Sequence, residues 1–456
     1  MLHKQKEGEI MEFEVLKRSH LKRNIIIGVV VVAIISAVVL NFTRARYRVT
    51  ESIPIVNGTI NYALPDLNIT ALYIDGVEAT ELDNSKTYTL DTTNSTCTYK
   101  DGSTIENLSI SYKSETGNLN IMPFTTKGTK CILYFEEYVQ TAGATILVGK
   151  DIQTREDFSI VLSTNTNGII YQETTRDGTT YYFAGDTDEN WMSFAGYYWR
   201  IIRINEDGSI RMIYNGTSTA TTGTNTQLQT TTYNRYSYGD NAGVGYMYGT
   251  TGSTSYNSTH ANVNSSTIKL TIDSWYKTNI VDKGYSNYIS KDAGFCNDRY
   301  PSTNYSNSNG LGGTGTTTTF YASLIRLYAN DSSSNASPSF NCINNNDLFT
   351  VNSSSKGNKA LTYPVGLITA DEVAYAGGVS YLNNTGYYLY TSQNYWTMTP
   401  AIATSYAQVN IVGSAGYIGG SNVANYDITG ARPVINLRAD VTLTGNGTTS
   451  SPYRVS

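Results

Sequence analysis

The stretch Gly196-Tyr197-Tyr198-Trp199-Arg200-Ile201-Ile202-Arg203-Ile204-Asn205-Glu206-Asp207-Gly208-Ser209-Ile210-Arg211-Met212-Ile213-Tyr214 decides how the chain is read. Two apolar runs, 197–205 and 209–214, flank Glu206-Asp207-Gly208. An Asp-Gly step tolerates the positive φ of a tight hairpin. Trp199, Ile201 and Ile202 on the first run, with Ile210, Met212 and Ile213 on the second, predict strands that bury both faces.

Downstream, residues 215–264 collapse to Thr, Gly, Ser, Asn and Tyr and read as a long surface excursion outside the core. A helix is expected over 266–281: Ile268, Ile272, Trp275 and Ile280 share a face, leaving Lys269, Asp273 and Lys277 to solvent. A second polar excursion, 297–341, lies between Cys296 and Cys342. A short helix over 370–376 carries full boundary signals, with Thr369 as N-cap, Glu372 closing a capping box and Gly377-Gly378 as the stop. The end returns to β over 387–391, 395–398, 407–412, 416–418 and 432–437. Upstream, residues 50–140 read as a small β-sandwich, with strands near 70–74, 108–112 and 131–135 between Asn-Gly and Asp-Gly turns. Residues 141–167 read as a linker holding one helical turn.

Of 456 residues only 15 % are charged, 12 % are aromatic and 38 are Tyr. This composition excludes charge-driven disorder. A net charge of −5 without a basic stripe gives no expectation of a nucleic-acid partner. The three histidines are His3, His20 and His260. Only His260 lies in the main body, as an expected polar loop residue, and no G-x-S-x-G or H-E-x-x-H accompanies it.

From Asn24 to Thr43 none of the twenty residues is charged. At about 1.5 Å each, such a helix spans roughly the 30 Å of a bilayer core. Residues 1–23 are then a cytoplasmic tail and 24–43 a transmembrane anchor in a cell membrane, with a single pass and the bulk of the chain outside. Lys17, Arg18, Lys22 and Arg23 precede the span, favouring this orientation, although Arg44, Arg46 and Arg48 follow it. The alternative is a cleaved signal peptide, whose apolar core is usually shorter, about 7–15 residues. Cys97, Cys131, Cys296 and Cys342 all lie beyond the span and read as disulfides. Four cysteines allow three pairings, of which nearest-neighbour pairing is the simplest.

Further motifs join the opening stretch: Trp191, Ile272-Asp273-Ser274-Trp275-Tyr276, Gly366-Leu367-Ile368-Thr369-Ala370-Asp371-Glu372-Val373, Trp396-Thr397-Met398-Thr399-Pro400 and Gly430-Ala431-Arg432-Pro433-Val434-Ile435. Together, over 168–440, they resemble a family of surface proteins of low-GC gut bacteria. The C-terminal domain of that family is C-type-lectin-like and similar to the formylglycine-generating enzyme. The resemblance implies a mostly β (α+β) chain in which 168–456 form a lectin-like ectodomain with long polar loops. It transfers no site: the Glu-Pro-Asn, Gln-Pro-Asp and Trp-Asn-Asp runs of calcium-dependent lectins are missing. Cys296 and Cys342 are too far apart to match the enzyme's closely spaced pair. Arg432, in the matching Gly-x-Arg-Pro ending, is expected to satisfy carbonyls beneath the fold.

Asp186-Thr187-Asp188-Glu189-Asn190 imitates a calcium loop but lacks its Gly and closing Glu, and reads as a solvated acidic turn. Gly310-Leu311-Gly312-Gly313-Thr314-Gly315 imitates a phosphate loop without its Lys. Neither a metal nor a cofactor is expected. The tyrosines, set among Ser, Gly and Asn, suit a recognition surface. The same residues are over-used by AT-rich genomes, and Tyr also fills strand positions. Tyr246, Tyr248, Trp396, Tyr406, Tyr417 and Tyr426 are the candidate ligand contacts. The expected function is non-catalytic binding of a glycan or a surface protein. The alternatives are an extracellular carbohydrate hydrolase using Asp371 and Glu372, and a pilus-like subunit.

Overall fold

A computed structural model describes residues 67–456 except 84–87, 114–117, 124–127, 138–140, 236–239, 254, 303–318, 329–335, 353–356, 405 and 425–427. The proposed tail and anchor therefore lie outside the described residues. Among the described residues no helix is long and apolar enough to cross a membrane. The described residues are mostly β, with 36 % in strands and 15 % in helices.

The N-terminal region contains strands β1 (Leu67–Ile74), β2 (Val77–Ala79), β3 (Tyr88–Leu90), β4 (Thr96–Tyr99), β5 (Ser109–Lys113), β6 (Asn118–Met122) and β7 (Thr129–Glu137). One sheet runs β2-β1-β7-β3 with β4 also on β7, while β5 and β6 form a separate hairpin. Alternation along β7 buries Cys131, Leu133 and Phe135, and Tyr112 of β5 meets the Phe135 ring edge-on at 5.0 Å. Cys97 of β4 is bonded to Cys131 of β7.

The second region begins inside the expected linker. The helix Ala142–Leu147 and strand β8 (Asp151–Thr154) belong to it, because Ala142 and Ile146 are fully buried in the main core. It continues with β9 (Ile169–Thr175), β10 (Gly178–Tyr182), β11 (Trp191–Phe194), β12 (Tyr197–Ile204) and β13 (Ile210–Tyr214). Beyond these lie β14 (Met247–Tyr248), β15 (Asn264–Ser265), β16 (Phe295–Cys296), β17 (Thr319–Phe320) and β18 (Leu348–Phe349). The last strands are β19 (Asn394–Ala403), β20 (Ala407–Val412), β21 (Ile418–Asn422), β22 (Thr429–Gly430), β23 (Val434–Leu437), β24 (Leu443–Thr444) and β25 (Tyr453–Val455).

The hairpin of the deciding stretch forms as expected, with Trp199 opposite Tyr214, Ile204 opposite Ile210 and a bulge between Ile201 and Arg203. Gly208 closes it at φ +79°, and a Cβ there would come within 2.9 Å of Thr141. This hairpin anchors a nine-stranded sheet to which β23 returns beside β13 and β25 beside β11. A second sheet runs β17-β19-β20-β21 with β22 on β19. Residues 387–391, expected as strand, form a buried turn in which Tyr390 N donates to Tyr387 O at 3.0 Å.

Two further expectations are corrected. The first polar excursion is not a surface loop, since Tyr233, Tyr246, Val244, Asn234 and Asn241 are all buried. The Tyr246 hydroxyl donates to Val365 O at 3.0 Å, so its ring fills core volume while its oxygen remains bonded. The expected helix is Thr267–Tyr276, extended by a π-turn over Lys277–Val281. Its Lys269 is buried rather than solvated, paired with Asp273 at 2.5 Å, while Leu270 is exposed. An i, i+4 partner supplies the compensation a buried ammonium needs.

Candidate functional site

The hairpin places Arg203 directly opposite Arg211. Both reach Glu372, their Nε atoms lying 3.3 and 2.5 Å from Oε1. Glu372 stands in the first turn of the helix Ala370–Ala376, whose capping box forms as the sequence predicts: Glu372 N donates to Thr369 Oγ1 and Thr369 N to Glu372 Oε2 at 2.9 Å. Asp371, one residue earlier, takes Arg326 in a two-pronged pair at 2.7 and 2.9 Å and accepts from Ser339 N at 2.9 Å. Arg326 Nη2 also bonds Asp298 Oδ2 at 2.6 Å. Three guanidiniums thus balance three carboxylates around a cavity of about 40 Å³, also lined by Phe340, Thr369 and Thr399.

Burial raises the Asp298 carboxyl above its usual range against the pull of Arg326, and nearby Asp371 adds to the rise. Burial disfavours charge on Arg326, yet Asp371 and Asp298 hold its pKa above the ordinary guanidinium value. Asp298 Oδ1 is buried without a hydrogen-bond partner. The cavity has room for two or three waters to satisfy it, and too little for a sugar ring. Phe340 covers it, stacked on Tyr375 at 3.8 Å with the Arg203 guanidinium 4.8 Å from its ring. Cys342, two residues on, is bonded to Cys296 and so fixes this cover.

The carboxylates proposed for a hydrolase, Asp371 and Glu372, are therefore each engaged by arginine and by backbone N–H. Glycosidase carboxylates face each other across the scissile bond, whereas these two take separate partners. His260 is a correction: it is buried at the end of a short helix, Nε2 lying 3.1 Å from the Tyr321 hydroxyl and Nδ1 2.8 Å from Tyr256 O. Burial, with Arg299 nearby, pushes its pKa down to about 3. In the acidic turn, Asp188 accepts from Trp191 Nε1 at 3.1 Å and Glu189 from Gly168 N at 2.7 Å. Among the described residues no cluster of His, Cys, Asp and Glu could hold a metal. The glycine-rich 310–315 segment lies outside the described residues. Arg432 does satisfy the fold from within, donating to Tyr214 O at 3.0 Å and Asn215 Oδ1 at 2.8 Å.

The candidate ligand contacts are dispersed. Tyr246, Tyr248 and Trp396 are buried, Trp396 Nε1 donating to Thr231 O at 2.7 Å, so a surface ligand does not reach them. Tyr406 is exposed and Tyr417 half-buried, at opposite ends of β20. Tyr426 lies outside the described residues. Tyr381, the most exposed tyrosine among the described residues of the second region, does not stand out in sequence from its neighbours Tyr387, Tyr388 and Tyr390. Family models, curated proteins and solved structures give no match to this chain.

Proposed function

We propose that this chain is a single-pass, membrane-anchored surface protein whose head, lectin-like in its C-terminal region, binds a glycan or protein ligand without chemistry. The observation that carries the reading is the pairing of all four cysteines, Cys97 with Cys131 and Cys296 with Cys342. Disulfides persist in oxidising compartments, and the apolar 24–43 segment supplies a route there. The arginine-engaged carboxylates and the buried His260 further support binding over catalysis.

The test is protease shaving of intact cells that express the full chain. Proteinase K is expected to remove the head, and maleimide to label cysteine only after reduction. A protected head, or four thiols that label without reduction, overturns the reading. Turnover of glycosides that is lost in Asp371→Asn or Glu372→Gln overturns its non-catalytic part.

A further inference from the structure

We propose that Tyr381 and Tyr417, at the hairpin end of the β19–β21 sheet, form a platform for the apolar face of an uncharged pyranose. This deepens the reading above, on which it rests, by naming a neutral polysaccharide as the ligand class.

Tyr381 is 67 % exposed although bulky and aromatic, and its neighbour Leu382 is 50 % exposed. Its backbone sits at φ +56°, a region bulky residues rarely adopt unless their surroundings impose it. Here they do. Tyr381 N donates to Ile418 O at 3.0 Å, and Ile418 N to Val379 O at 3.1 Å. The ring stands edge-on to Tyr328 at 5.3 Å, and the Tyr328 hydroxyl is itself fixed on Asn410 Oδ1 at 2.6 Å. The turn thus holds an aromatic ring out in solvent in one orientation.

Tyr417 borders the same patch. A Cβ on Gly419 would lie 2.7 Å from the Tyr417 ring and 3.9 Å from the Tyr381 ring, so bare backbone separates the two. Gly420 follows, with the Gln408 amide oxygen 3.0 Å from where its Cβ would be. Asn383 and Ser414 are exposed nearby in sequence. The two tyrosines offer aromatic surface to the C–H bonds of a sugar, with the Tyr417 ring laid over Gly413 and Gly419, and amides and hydroxyls suit its hydroxyl groups.

Charge selects the ligand. From Val373 to Tyr426 not one residue is charged, in a chain that is 15 % charged overall. Nucleic acids and acidic polymers are held through cations, and the segment that carries both rings has none of its own. A protein partner needs about 800 Å² of interface per side, far more than two rings and a leucine provide.

The experiment is affinity electrophoresis of the full chain in detergent micelles, through gels containing dextran, mannan, xylan or mixed-linkage β-glucan, with heparin as the acidic control. At least one neutral polymer is expected to retard the protein. Tyr381→Gly and Tyr417→Ala should each weaken that retardation tenfold or more, while heparin has no effect. Glycine suits φ +56°, so Tyr381→Gly should melt no lower than the parent, which separates lost binding from lost fold. Undiminished retardation of both variants overturns the platform and leaves glycan binding standing. Retardation by heparin alone overturns the neutral ligand. No retardation by any polymer overturns this inference, and the wider reading then rests on the shaving result. Self-association that Tyr381→Gly abolishes assigns the patch to a second copy instead, which also overturns it.

Discussion

Asp298 and Arg299 are adjacent in sequence yet belong to two different buried charge clusters. Arg299 is sealed. Its backbone N and Nε bond Asp347 at 3.0 and 2.8 Å, Nη1 donates to Met247 O at 3.0 Å, and Nη2 to Asn262 Oδ1 at 2.8 Å. Neither partner's side chain is exposed. Asp298 faces the cavity instead, where one oxygen meets Arg326 and the other has no partner. The sealed pair fixes the fold because nothing else can solvate it, whereas the cavity cluster retains space in which water can replace a lost bond.

This contrast can be broken in order of expected effect. Arg299→Met strands Asp347 in a dry site, and chemical denaturation should show a loss of about 3–5 kcal/mol. Next is acidification near the sealed pair. His260 has its folded pKa depressed to about 3. The unfolded chain therefore takes up a proton below about pH 6.5 that the folded chain refuses. Stability should fall by about 3 kcal/mol from pH 7 to pH 4, and His260→Gln should remove that part of the slope. Arg326→Met leaves two carboxylates in a hydrated cavity, and a smaller loss of about 2 kcal/mol is expected.

The smallest effect belongs to Asp298→Asn, which should change stability at neutral pH by no more than about 1 kcal/mol. Its pH signature is opposite in sign to that of His260. A carboxyl whose folded pKa is raised stabilises most at low pH, and that contribution fades as pH rises through the folded value. Parallel denaturation series at several pH values would show the Asn variant without that decline. A larger loss in Arg326→Met than in Arg299→Met would sink the distinction between sealed and hydrated clusters.

The features that could be read in advance were local ones. The hairpin over 197–214 is written in an Asp-Gly step and two apolar runs, and the 370–376 helix in three capping positions. Cavity residues Arg203, Arg326 and Asp298 were not foreseen because no short-range pattern links them to Asp371 and Glu372; the hairpin, a helix and a loop bring them together. Polarity misled twice. Lys269 looked solvent-facing because its compensating Asp273 was assigned to the same wet face. Tyr233 and Tyr246 look superficial because Thr, Asn and Gly surround them, although both rings fill core volume and the Tyr246 hydroxyl stays bonded to Val365 O. In a chain with 38 tyrosines, composition cannot separate the ring that fills a core from the ring that meets a ligand.

The 373–426 segment has one more consequence. Its own side chains include no Asp, Glu, Lys, Arg or His, so it offers counter-ions nothing to screen. Whatever adheres to its outer face through these side chains would hold equally well in fresh water or brine.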